Sequence, residues 1–97
     1  MENKKTAIQD LVIQKIKTLR NEHHISQSSL SVILNISSGQ IGNIESPRFQ
    51  HKYTLKQIYT FCKHIKYPFE KMFLTEEEIK SQNKAEILIE KIIEYDG

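Results

Sequence analysis

The sequence predicts an all-α bundle of five helices with an additional helix at its C-terminal end. Three observations carry that prediction. Apolar residues recur at spacings of three and four through most of the 97 residues. A serine or threonine stands ahead of four of these periodic segments, where a helix N-cap belongs. Prolines and glycines number only two and three, too few for the turns of a β-sandwich. A chain of this length holds one modest hydrophobic core and not two. The organisation expected is a bundle over residues 6–74 and a helical extension over 75–97.

Residues 6–22, TAIQDLVIQKIKTLRNE, set Ile8, Leu11, Val12, Ile16 and Leu19 on one face and charges on the other, as an amphipathic helix does. Ser26 caps a second segment of about two turns, in which Leu30, Ile33 and Leu34 keep helical spacing. Asn35 follows, the residue type that tolerates a left-handed backbone best after glycine, so a sharp turn is expected there. Ser37 then caps SGQIGNIE, with Ile41 and Ile44 turned inward. Gly39 and Gly42 are the puzzle in that segment, since each costs about 1 kcal/mol against Ala in a helix. Either a marginal helix tolerates them, or something outside the chain requires a bare face.

SPRFQHKY, residues 46–53, has Pro47 and no periodicity and reads as an exposed loop. Thr54 caps the next helix, whose Leu55, Ile58, Phe61, Cys62 and Ile65 share a face. Pro68 suits the first turn of a short fifth helix bearing Phe69, Met72 and Phe73. Thr75 and Glu78 form a T-x-x-E capping box from which a sixth helix starts. Beyond a hinge at Ser81–Asn83, the run KAEILIEKIIEY reads as a wide helical face rather than a short strand.

Charge is unevenly spread. Residues 1–74 carry 11 Lys and Arg against 5 Asp and Glu, a net of +6, whereas residues 75–97 carry 3 against 7, a net of −4. A basic body with an acidic tail suits a polyanion binder. The basic start MENKKTAIQD lacks the apolar run of a secretory signal, and no segment approaches the roughly 18 apolar residues of a membrane span. Cys62 is the single cysteine and forms no intrachain disulfide, so a cytoplasmic location is expected.

Two short serine-capped helices joined by a brief turn, with a longer amphipathic helix ahead of them, make the pattern of a helix-turn-helix. Ile16, Leu19, Arg20, Ile25-Ser26-Gln27, Leu30, Leu34, Ile36-Ser37, Ile41 and Ile44-Glu45 keep a continuous register with Leu55, Ile58, Ile65, Phe69 and Phe73. In this register residues 16–73 resemble the Cro/repressor-type, or xenobiotic-response-element, helix-turn-helix domain. Ser46-Pro47-Arg48 departs from that family's usual Asn-Gly-Lys loop. The resemblance implies a five-helix, lambda-repressor-like bundle that binds duplex DNA sequence-specifically as a small bacterial or phage-type regulator of transcription.

In such a domain the second helix of the pair enters the major groove. At about 100° per residue, the face opposite Ile41 and Ile44 falls on Gly39, Gly42, Asn43 and Ser46, flanked by Ser38 and Gln40. Base readout is therefore expected from Ser38, Gly39, Gln40, Gly42 and Asn43, with Asn43 suited to a bidentate pair with adenine. Phosphates are expected to meet Gln27, Ser37, Ser46, Arg48 and Lys52, together with backbone N–H groups at the capped N-termini. Glu45, acidic beside this surface, is expected to serve structure. A single helix with few base-reading side chains discriminates weakly, so a homodimer on a two-fold operator is expected, with Leu88, Ile89, Ile92 and Ile93 as its surface.

No enzymatic activity is expected, because the chain holds no glycine-rich phosphate loop, nucleophile motif or paired-carboxylate signature. His23, His24, His51, His64 and Cys62 lack ligand spacing, so neither metal nor cofactor is expected. The alternative reading is a protein-interaction module, antitoxin-like or an adaptor, whose acidic apolar tail binds a protein partner while DNA binding is secondary or lost.

Overall fold

The computed structural model describes residues 5–97. It is all-helical, with α1 at Ala7–Glu22, α2 at Gln27–Leu34, α3 at Ser38–Glu45, α4 at Leu55–Ile65, α5 at Glu76–Ile79 and α6 at Lys84–Asp96. A single 3-10 turn, Phe69–Met72, stands where a fifth α-helix is expected from the sequence. Pro68 holds an extended backbone just ahead of it and the Thr75 cap follows at once, so only one turn fits between them. The capping box at Thr75 forms, but the helix it opens is four residues long. The chain breaks at Lys80–Asn83 and resumes as α6, a helix and not a strand. No helix among the described residues is long and apolar enough to cross a membrane.

The helices start where local chemistry dictates. Thr6, Ser37, Thr54 and Thr75 each accept a hydrogen bond from the backbone N–H three residues on, and the Gln or Glu at that position bonds back to the cap N–H. Ser26 caps α2 in the same way without the return bond. Three helices stop by a shared device without any glycine: His24, Asn35 and Lys66 take φ near 55 to 57°. The following N–H in each case reaches back five residues, Ile25 to Arg20, Ile36 to Ser31 and Tyr67 to Cys62, at 2.8 to 2.9 Å. Ile25, Ile36 and Tyr67 then pack on the core, the apolar contact that offsets the left-handed strain.

Val12, Ile13 and Ile16 of α1, Leu30 of α2, Ile41 of α3 and Ile58 and Phe61 of α4 are sealed from solvent. Two further residues join them, one from the loop expected to be exposed and one from the C-terminal extension. Tyr53, at the end of the loop expected to be exposed, is fully buried. Tyr95, near the chain's end, is equally buried and donates its hydroxyl to the Tyr53 carbonyl at 2.7 Å. The tail is thus fastened into the same core as residues 6–74. Leu88 and Ile92 pack inward beside Tyr95, which removes them from the outward surface expected of them and leaves Ile89 and Ile93 exposed. Half of the apolar arc of α6 is consumed by the bundle.

Cys62 sits in this core at 2% exposure, and burial pushes its thiol up from 9.0 to about 11. A raised value means less thiolate at any pH below it. At pH 8, reaction with Ellman's reagent should therefore run at least ~100-fold slower in the folded chain than in denaturant, where the thiol is both reachable and closer to its ordinary acidity. Stopped-flow absorbance checks this.

Candidate nucleic-acid interface

α3 rests on α2 and α1 through Ile41 and Ile44, which are 0% and 5% exposed. Its N-terminus is closed by the Ser37 hydroxyl, which accepts from Gln40 N–H at 3.1 Å, while Gln40 Oε1 accepts from Ser37 N–H, also at 3.1 Å. Ser38, Gly39 and Gln40 are exposed, and Gly42 and Asn43 are half-buried. A Cβ added at Gly39 would meet only the Ser37 hydroxyl, at 3.8 Å, and one added at Gly42 would meet nothing within 4 Å. Neither glycine has a left-handed backbone. The fold itself has no use for either.

The C-terminal end of α3 is locked by charge. Glu45, 9% exposed, receives both arms of the Arg20 guanidinium, Nε to Oε2 at 3.0 Å and Nη2 to Oε1 at 3.1 Å. Arg20 Nη1 also donates to the Ile25 carbonyl at 2.9 Å, and Gln27 Nε2 donates to Glu45 Oε1 at 2.9 Å. The Arg20–Glu45 pair thus joins α1, the turn after it, the start of α2 and the end of α3. Bidentate geometry and extra donors are what a buried ion pair requires to offset its desolvation. The negative charge of Glu45 is spent inside the protein and does not oppose an anion outside.

The residues expected at phosphates divide into two groups. Arg48 is exposed, and its side chain has no partner among the described residues. The Ser46 hydroxyl accepts from Arg48 N–H at 3.2 Å and shapes the turn that presents it. Ser37 is exposed but uses its hydroxyl in the cap. Gln27 is exposed and gives one amide N–H to Glu45, which orients its side chain at the start of α2. Lys52 is a correction to the sequence reading. Its ammonium donates to the Tyr95 and Asp96 carbonyls at 3.1 and 2.8 Å and lies 5.5 Å from the Tyr95 ring centroid, so it closes the negative end of the α6 dipole.

Sequence reasoning misses two residues of this region. Lys5 donates to the carbonyls of Ser46 and Phe49, each at 2.6 Å, and so braces the loop that carries Arg48. Gln9 completes the Thr6 capping box and also donates to the Tyr95 carbonyl at 2.8 Å. Nothing local marks Lys5, since its partners lie more than 40 positions away in the chain. Arg20 does carry a signal: it continues the Ile16 stripe by one turn, where an apolar side chain belongs.

No family model matches this chain, and no curated protein or solved structure matches it.

Arg20→Ala or Glu45→Ala should lower stability by about 3–5 kcal/mol, because each strands a buried charge. Replacing both with apolar residues of similar size should cost less than either single change. Urea unfolding of the parent and the three variants compares these costs.

Proposed function

We propose that α2 and α3 form a helix-turn-helix in a lambda-repressor-like arrangement, that α3 enters the major groove of duplex DNA, and that the chain regulates transcription by doing so. The observation that carries the reading is the bare, polar outer face of a helix held rigidly from beneath. Ser38, Gly39 and Gln40 are exposed on it, and neither glycine is demanded by backbone or packing. A bare face lets the backbone approach base edges closely and leaves readout to Asn43 and its flanks.

Further support comes from the surroundings of α3. Arg48 extends from a loop braced by Lys5 just beyond α3, and the capped start of α2 is tied to the end of α3 through Gln27 and Glu45. The register of residues 16–73 resembles the Cro/repressor-type family. Contacts of the first kind position the protein and those of α3 specify.

Selection of sites from a random duplex pool tests the proposal directly, and a failure to enrich any sequence overturns it. Arg48→Glu should weaken binding to all duplexes and reduce the salt slope by about one. Asn43→Ala should cost about 1–3 kcal/mol at one base pair and relax preference there alone. Fluorescence anisotropy over a salt series separates the two effects.

The glycines make a second test. Gly39→Ala with Gly42→Ala should stabilise the chain by up to about 1 kcal/mol per site, since both methyl groups have room. The same double change should weaken DNA binding. A doubly substituted chain that is more stable and binds as well as the parent would show that the helix merely tolerates them.

A further inference from the structure

A trough runs along the side of α1 that faces away from α2 and α3. It consists of two adjoining hollows, of about 350 and 300 Å³, which share Leu11, Lys15 and Tyr67. Each hollow alone is at the lower end of the sizes that hold small molecules. The floor is apolar, formed by Leu11 and Leu19 of α1, with the Tyr67 ring as a wall common to both hollows. Leu11 belongs by periodicity to the inward stripe, yet it is 40% exposed, a large apolar side chain left at the bottom of an open hollow.

Charge is unequal along the trough. The first hollow carries Lys15 and Lys71 against the exposed Glu76, a surplus of one positive charge, whereas the second carries Glu22 beyond Leu19. The Lys15 ammonium donates to the Lys71 and Leu74 carbonyls at 2.8 and 3.3 Å, which fixes it across the first hollow and leaves one of its three N–H groups. It has no carboxylate within ion-pair distance among the described residues. Glu78, whose field reaches Lys15, is already held by Lys91 at 3.6 Å and by the Thr75 N–H at 2.9 Å. Burial holds the Lys15 ammonium below the usual lysine value, as it does for a half-buried cation short of a counter-charge.

We infer that the trough binds a medium-chain fatty carboxylate, its carboxylate on Lys15 and Lys71 and its alkyl chain laid over Leu11, Tyr67 and Leu19 toward Glu22. Charge and length together choose this class. From Lys15 to Glu22 the helix advances about 10 Å, which matches an alkyl chain of about eight carbons. Glu22 repels an anionic group, so the apolar end of the chain lies there. Inorganic phosphate would satisfy the lysines and leave the floor in water, while a neutral alcohol would cover the floor and leave Lys15 without its counter-charge. This inference stands apart from the DNA-binding reading and is tested without DNA.

A proton–nitrogen NMR titration of the full chain with octanoate should move the amide signals of Leu11, Lys15, Tyr67 and Lys71 most, with a dissociation constant of about 1 mM or tighter. Octanol, acetate and inorganic phosphate should each bind at least about tenfold more weakly. Lys71→Glu, at an exposed position, should weaken octanoate about tenfold or more, and Lys15→Met should do the same. Leu11→Asp should abolish saturable binding. The NMR spectrum of each variant shows whether it keeps the fold, and Lys71→Glu decides the matter should Lys15→Met unfold. Octanol or phosphate binding as tightly as octanoate overturns the inference. So do signals that move chiefly at the exposed Ile89 and Ile93, or a Lys71→Glu chain that binds as the parent does. A trough already closed by a second copy, seen in sedimentation equilibrium as a parent dimer that Leu11→Asp splits, overturns it too. A chain that binds octanoate in this way yet selects no DNA site leaves the trough intact and removes only the DNA-binding reading.

Discussion

The fork between Arg20 and Glu45 sets how the end of α3 sits on the rest of the molecule. An eight-residue helix held by Ile41 and Ile44 alone would be free to roll about its own axis, because apolar contact has no direction. The guanidinium supplies that direction. Its plane fixes the Glu45 carboxylate, and through it the α3 end, against α1 and against the Ile25 carbonyl. Gln27 fills a further position on the same carboxylate and so refers α2 to the same point. Whatever α3 presents to the outside, it presents at an angle chosen by this network. Arginine suits the position because a lysine ammonium cannot offer three donors in one plane.

A second clasp operates at the far end of the chain. Gln9 on α1 and Lys52 in the long loop both donate to the Tyr95 carbonyl, while the Tyr95 hydroxyl donates to Tyr53. The last turn of α6 is therefore tied at one point to the start of α1 and to the loop ahead of α4. Past its midpoint α6 is held to α5 by the half-buried Lys91–Glu78 pair at 3.6 Å, a contact of little weight. Tyr95, and not the break at Lys80–Asn83, decides that residues 75–97 share the core. The clasp also explains why α6 turns one flank inward and leaves Ile89 and Ile93 in solvent.

Much of the helical order was legible in the chain because capping is a local matter. Ser26, Ser37, Thr54 and Thr75 bond to groups three residues away, and no distant partner is involved. The stop at Asn35 was legible for the same reason. The stops at His24 and Lys66 were not, since those residues take a left-handed backbone only when Ile25 and Tyr67 gain burial on a core that is not local. The candidate site divides similarly. The exposed run Ser38-Gly39-Gln40 follows from helical periodicity about Ile41 and Ile44. That Lys52 serves α6, that Gln27 serves Glu45 and that Lys5 braces the loop each depend on a partner far away in sequence.

The sequence by itself determined that the chain is helical, where most of its helices begin, and which side of α3 carries the small polar residues. These are consequences of 3.6-residue periodicity and of bonds closed within one turn. Only the tertiary structure decided which polar side chains remain free. A lysine or glutamine reaches several ångströms and takes the best acceptor within range, and that acceptor is set by how helices cross, not by neighbours in the chain. For the same reason the tertiary structure alone split the apolar arc of α6, sending Leu88, Ile92 and Tyr95 into the core and leaving Ile89 and Ile93 outside it.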